Sequence, residues 1–181
     1  MVKFKELRRT YGFDEVAINP GTVTVNPELT NTDFSIGPLK ISTPVLGSAM
    51  DAVASPDFAE TMHKQGALSV MNLEGVQSRY DCPQDAIDEI VQADASSVTT
   101  TMQRVYTTPI RESLVGERVE QIKRADSICA VSVTPMMTKK LAPIAVEAGA
   151  DLIVVQSTVT TARHTSHSAK GLRFPELLET I

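Results

Sequence analysis

Apolar positions are scattered through the first forty residues and then gather into four compact runs. Pro20, Pro27 and Pro38 interrupt any helical period in residues 1–42, so this stretch reads as an irregular leader with one or two short strands. Its candidates are the alternations Val23 to Val25 and Phe34 to Ile36. The first run, Pro44 to Met50, precedes Ser55-Pro56-Asp57, which predicts a helix with Ser55 as N-cap and Pro56 at its first position. Phe58, Ala59, Met62 and His63 lie on adjoining faces of that helix, and Gly66 stops it. The second run, Ala67 to Asn72, follows that glycine directly. The third, Ile128 to Thr134, leads through Pro135 into a helix with Leu141, Ile144 and Ala145 that ends at Gly149; the fourth is Asp151 to Thr158.

Strand ends at Met50 and Asn72 are 22 residues apart and those at Thr134 and Thr158 are 24 apart, a spacing that suits strand, crossover helix and parallel strand. Residues 75–124 are too many for one crossover. Pro83 to Gln92 predicts a helix, Ala95 to Tyr106 a polar and mobile stretch, and Glu117 to Arg124 another helix, together an elaborated crossover within one domain. A last helix carries Leu172, Phe174, Leu177 and Leu178. The fold class is therefore α/β. Regular βα units close most naturally into a (β/α)8 TIM barrel, which takes about 250 residues. Four units are countable, the first two strands in 43–74 and the third and fourth units in 125–181, so the chain is expected to hold about half a barrel. An open flavodoxin-like sheet fits the length as well.

Composition narrows the class. The chain of 181 residues is 42% hydrophobic and 22% charged, with 4% aromatic residues and no Trp, so its core is built from Val, Ile, Leu, Ala and Met. A net charge of −5 with no basic block argues against nucleic acid as a partner. The apolar runs are too short to span a membrane and the N-terminus lacks a signal-peptide core, which points to a cytoplasmic protein. Cys82 and Cys129 are far apart, without zinc-type spacing or a disulfide framework. Cys82 at a helix start reads as an incidental surface thiol, and Cys129 as an inert strand residue.

In either architecture ligands gather beyond the carboxyl ends of the strands. The residues there are Gly47-Ser48-Ala49-Met50-Asp51, Asn72-Leu73-Glu74, Thr134-Pro135 and Gln156-Ser157-Thr158. Ser48 offers a donor for a phosphate or sugar oxygen, Met50 a polarizable surface for a flat base, and Asp51 an acceptor. The bland alternative makes Met50 core and Asp51 a turn cap; for Gln156, Ser157 and Thr158 it makes them partners of loop amides. His164 and His167 lack a third ligand nearby, so no metal site is expected. A glycine-rich phosphate loop of the GxGxxG or GxxxxGK kind is absent from the sequence.

Taken together these segments resemble the IMP dehydrogenase/GMP reductase family. Phe13-Asp14-Glu15-Val16-Ala17-Ile18-Asn19-Pro20 is similar to its opening "FDDVLLVP" motif, and Thr43 to Val53 to its "PI-x-x-(S/A)-x-MDTV" first strand. Gly66 to Met71 resembles its "GGLGVI" second strand, and Glu147 to Val155 its "AGVDVVVLD" strand. The resemblance implies a (β/α)8 barrel, usually a homo-oligomer, handling a purine nucleoside monophosphate (IMP, GMP or XMP) with NAD or NADP.

Carried over by position, Ser48 and Met50 would contact the nucleotide, and Gln156, Ser157 and Thr158 would lie beside the nicotinamide. Gln156 replaces the family's usual aspartate, and Asn72-Leu73-Glu74 stands where typical dehydrogenases have His-His-Asn. The crossover 75–124 takes the place of the paired CBS regulatory module, as in the IMP-dehydrogenase-like subgroup without CBS domains, whose activity is closer to GMP reduction. The family's catalytic cysteine, which attacks purine C2, and its monovalent-cation site follow the sixth strand and fall beyond Ile181. A chain with half a site is expected to show no turnover alone. The other expectation is a non-catalytic half-barrel that binds nucleotide or pairs with another chain.

Overall fold

The computed structural model describes residues 8–157 and 171–181. Thr158, His164 and His167 lie outside them. The chain divides into two compact units, Met1–Asn31 and Thr32–Ile181. The described part of the first has two single-turn 3-10 helices, Phe13–Glu15 and Pro27–Leu29, and the Glu15 carboxylate accepts from the Gly12 amide at 2.9 Å. The alternation Val23 to Val25 forms no strand: Pro27 opens a helical turn immediately after it, and among the described residues no strand pairs with it.

The second unit opens with an antiparallel hairpin, β1 (Phe34–Ile36) and β2 (Leu39–Ile41). Then come β3 (Leu46–Gly47), α1 (Pro56–Lys64) and β4 (Leu68–Asn72). The crossover supplies α2 (Pro83–Gln92), α3 (Val98–Thr107) and α4 (Glu112–Arg124). After it follow β5 (Ala130–Val133), α5 (Pro135–Glu147), β6 (Leu152–Val155) and α6 (Phe174–Leu178). Strands β3 to β6 form one sheet in the order β3-β4-β5-β6, every pair parallel, with Asn72 opposite Ser132 and Ser132 opposite Val154. The expected α/β fold with a parallel sheet is thus present.

Local signals set the helix ends. The Ser55 hydroxyl accepts from the Phe58 amide at 3.1 Å with Pro56 in the first turn, so the predicted cap forms. Gly66 ends that turn at φ +72°, where a Cβ would also fall 1.9 Å from Ser42 Oγ. The strands alternate between two apolar layers. Met71, Val131 and Val133 face Ala59 of α1, Val115, Val119 and Ile122 of α4, and Leu141 and Ala145 of α5. Leu68, Val70, Ala130, Leu152 and Val154 face the other way, against Ile36 and Ile41 of the hairpin. Each fully buried side chain of this size contributes about 1.5–3 kcal/mol, and covering both faces explains the near-continuous apolar strands.

Two expectations for the crossover are corrected. Most of the stretch read as polar and mobile is the helix α3, because Val105 is fully buried against Val76 and Ala86 and anchors a helix whose threonines are mostly outward. One buried residue in a threonine-rich segment gives too little period to read from sequence. The helix expected from Glu117 begins a turn earlier, at Glu112, with Leu114 and Val115 buried. Strands β3 and β6, like β5, cover only part of the runs read from the sequence.

Candidate functional site

A parallel sheet places all its carboxyl ends on one rim. Here that rim carries the loop after Gly47, the loop after Asn72, Thr134 after β5, and Gln156 and Ser157 after β6. Ser48 and Met50 are exposed, Met50 to 56%, so the reading of Met50 as core does not hold. Gln156 and Ser157 are exposed too, with the Gln156 amide held by Val133 O at 3.0 Å.

Asp51 is more than a turn cap. Its Oδ2 accepts from the Val76 amide at 3.0 Å and from the Tyr106 hydroxyl at 2.5 Å, and its Oδ1 from Asn72 Nδ2 at 3.3 Å. The carboxylate therefore ties the first rim loop to the second and to the crossover. Gly75 makes the approach feasible, because a Cβ there would fall 1.8 Å from Asp51 Oδ1. Burial, the hydrogen bond to Asp51 and the charge of that carboxylate push the Tyr106 phenol well above its ordinary range, against a smaller pull from Arg79. The phenol is thus held as a donor.

Arg79 and Glu74 complete the network. Arg79 donates to Glu74 O from Nε (3.1 Å) and Nη2 (2.9 Å), and from Nη1 to Tyr106 O (3.0 Å) and Thr108 O. Its guanidinium also lies 5.8 Å from the centre of the Tyr106 ring, a cation–π distance. Glu74 Oε1 accepts from the Thr134 amide at 2.6 Å, placing a carboxylate at the start of α5, where the helix dipole favours negative charge. Farther along the crossover, the buried Arg118 donates to Gln77 O, Tyr80 O and Asp81 O, so a charge inside the fold is offset by three carbonyls.

Sequence reasoning missed Tyr106, Arg79 and Arg118. Tyr106 stands 55 residues from Asp51, and no local pattern links them. Cys82 is exposed ahead of α2, and Cys129 is buried beside the amino end of β5, its thiol pushed up to about 12 by burial and the charge of Asp151. Asp151 accepts from the Cys129 amide and from Lys123 Nζ, each at 2.8 Å, at the amino end of the sheet. Among the described residues, three or more His, Cys, Asp and Glu nowhere gather as a metal site, and no helix is long and apolar enough to cross a membrane.

Residues 10–174 match the family model described as IMP dehydrogenase / GMP reductase domain. An uncharacterized oxidoreductase of Mycolicibacterium smegmatis is 29% identical over 96% of this chain and 48% of its own length; one from Mycobacterium tuberculosis is 28% identical over the same shares. The inosine-5'-monophosphate dehydrogenase of Methanocaldococcus jannaschii is 29% identical over 54% of this chain and 20% of its own length. A crystal structure of an IMP dehydrogenase/GMP reductase-like protein from Corynebacterium glutamicum superposes with a TM-score of 0.85 at 31% identity, covering 98% of this chain and 47% of that one. The chain thus spans about half the length of the curated oxidoreductase relatives it matches.

Proposed function

Because the chain belongs to the IMP dehydrogenase/GMP reductase family, we propose that its rim is one wall of a purine nucleoside monophosphate site in a nicotinamide-dependent oxidoreductase acting at purine C2. The observation that carries this reading is the shared rim: Ser48, Met50, Gln156 and Ser157 are all exposed at the carboxyl ends of parallel strands. Met50 presents a thioether surface that fits a planar purine, and the Ser48 hydroxyl fits a phosphate or ribose oxygen. The Gln156 amide and Ser157 hydroxyl fit the carboxamide of NAD or NADP, and the same role is proposed for Thr158. A bound nicotinamide supplies or takes the hydride; the residues of this chain bind and orient the partners.

The nucleophile is not among these residues. Cys129 packs in the helix-covered layer away from the rim, and its raised thiol pKa leaves it protonated at neutral pH. Residues 1–181 are therefore proposed to bind nucleotide without turning it over, the remaining barrel units supplying the catalytic loop and cation site. Saturation-transfer NMR with IMP, GMP and XMP tests binding, and absorbance at 340 nm with NAD(H) or NADP(H) tests turnover. Nucleotide signals that saturate while absorbance stays flat support the proposal. Absence of binding by all three nucleotides refutes the site, and clear hydride transfer refutes the inactivity of this segment.

The second reading, a half-barrel that assembles with another chain, is favoured by the outer edges of β3 and β6, which no strand among the described residues covers. Light scattering decides it: a monomer at every concentration argues against it, and a concentration-dependent dimer argues for it.

A further inference from the structure

We propose that Tyr106, on the crossover helix α3, is a positioning residue for the nucleotide site: its hydroxyl holds Asp51 and so sets the loop that carries Ser48 and Met50. Ala49 packs against the hairpin-side core and Ala54 is buried, so the two ends of the loop are seated while Ser48 and Met50 depend on what holds the segment between them. Its backbone bonds are local, from the Met50 amide to Ser48 O and from the Val53 and Ala54 amides to Met50 O. Ser48 and Met50 themselves are exposed. Asp51 is the side chain that reaches out, to the Val76 amide and Asn72 on the neighbouring loop and to Tyr106 on the crossover. Of these three donors, only Tyr106 brings a group from α3 to the rim.

Helix α3 is also held without the Tyr106 hydroxyl. Arg79 bonds the backbone carbonyls of Tyr106 and Thr108, and the Tyr80 hydroxyl donates to Val105 O at 2.9 Å and lies 2.8 Å from Thr108 Oγ1. Val105 fixes the same turn in the core. Tyr106→Phe therefore removes one hydrogen bond to a carboxylate, a strong class, while the ring and the helix stay in place. The crossover would then do more than join β4 to β5; it would set the geometry of the loop that meets the purine.

The affinity part of this inference rests on the nucleotide reading above, whereas the loop geometry does not, so the two are tested separately. The full chain is labelled with [13C-methyl]methionine, and Met50 is assigned by loss of its signal in Met50→Leu. Without ligand, Tyr106→Phe should shift and broaden the Met50 methyl resonance, while Tyr80→Phe, which weakens the hold on the same turn but keeps the Tyr106 hydroxyl, should move it much less. In Asp51→Ala, adding Tyr106→Phe should bring no further change at Met50. With IMP or GMP, Tyr106→Phe should weaken binding about three- to tenfold.

An unmoved Met50 signal in Tyr106→Phe, or an equal movement in Tyr80→Phe, overturns the proposal. If IMP and GMP leave Met50 of the wild-type chain unchanged, the nucleotide reading fails, and the ligand-free comparison still decides whether Tyr106 positions the loop.

Discussion

Replacing Gly75 by alanine tests the rim network at its tightest point. Gly75 has φ −89° and ψ −166°, which an L residue adopts without strain. On backbone entropy alone, alanine would stabilise the fold by about 0.4–1 kcal/mol. The contact decides the sign. The new Cβ would fall 1.8 Å from Asp51 Oδ1, 2.4 Å from Cγ and 2.5 Å from Oδ2, so the carboxylate must leave. Leaving breaks its bonds from the Val76 amide and the Tyr106 hydroxyl. Hydrogen bonds to a charged group are worth about 1.5–3 kcal/mol each when buried. Asp51 is half-buried and water recovers part of both, so their combined loss is about 1.5–3 kcal/mol. After the entropy gain, Gly75→Ala should cost about 1–2 kcal/mol, which lowers the melting temperature by about 2–8 °C for a chain of this size. Urea and thermal unfolding followed by circular dichroism measure it. In an Asp51→Ala background the same change should be neutral or stabilising. A single Gly75→Ala variant as stable as wild type, or an undiminished loss in the Asp51→Ala background, would refute the reasoning.

Three further outcomes are expected. Cys82 should react with a thiol reagent in the native chain while Cys129, buried and with its thiol pushed up to about 12, reacts only on unfolding; equal native rates would contradict this placement. Ultraviolet titration should show a tyrosine that ionises above the free phenol range, and Tyr106→Phe should remove that step. Its folded pKa is raised, so the bond to Asp51 contributes fully below the free phenol value of about 10 and is lost as pH rises beyond it; a native Tyr106 that titrates like a free phenol would sink this. Ser132 Oγ is buried with no hydrogen-bond partner among the described residues, so Ser132→Ala should leave stability unchanged or raise it by up to about 1 kcal/mol, and a clear loss in urea unfolding would show a missed partner.

What the sequence determined by itself was local. Proline, serine and glycine placed the ends of α1, α2 and α5, because caps and breakers act within a turn of where they stand. The four apolar runs and their spacing determined a parallel α/β sheet, and with it a rim bearing Ser48, Met50, Gln156 and Ser157. Tertiary structure decided how that rim is held. Asp51 meets Val76 and Tyr106 across 25 and 55 residues, Glu74 meets Thr134 across 60, and Arg118 closes on carbonyls about 40 residues away. Such pairs leave no period in the chain, because they form only after the hydrophobic faces have packed and brought the loops together. For the same reason α3 was not legible: its threonines favour no element strongly, and what anchors it is tertiary, the burial of Val105 against Val76 and Ala86 and the bonds from Arg79 and Tyr80.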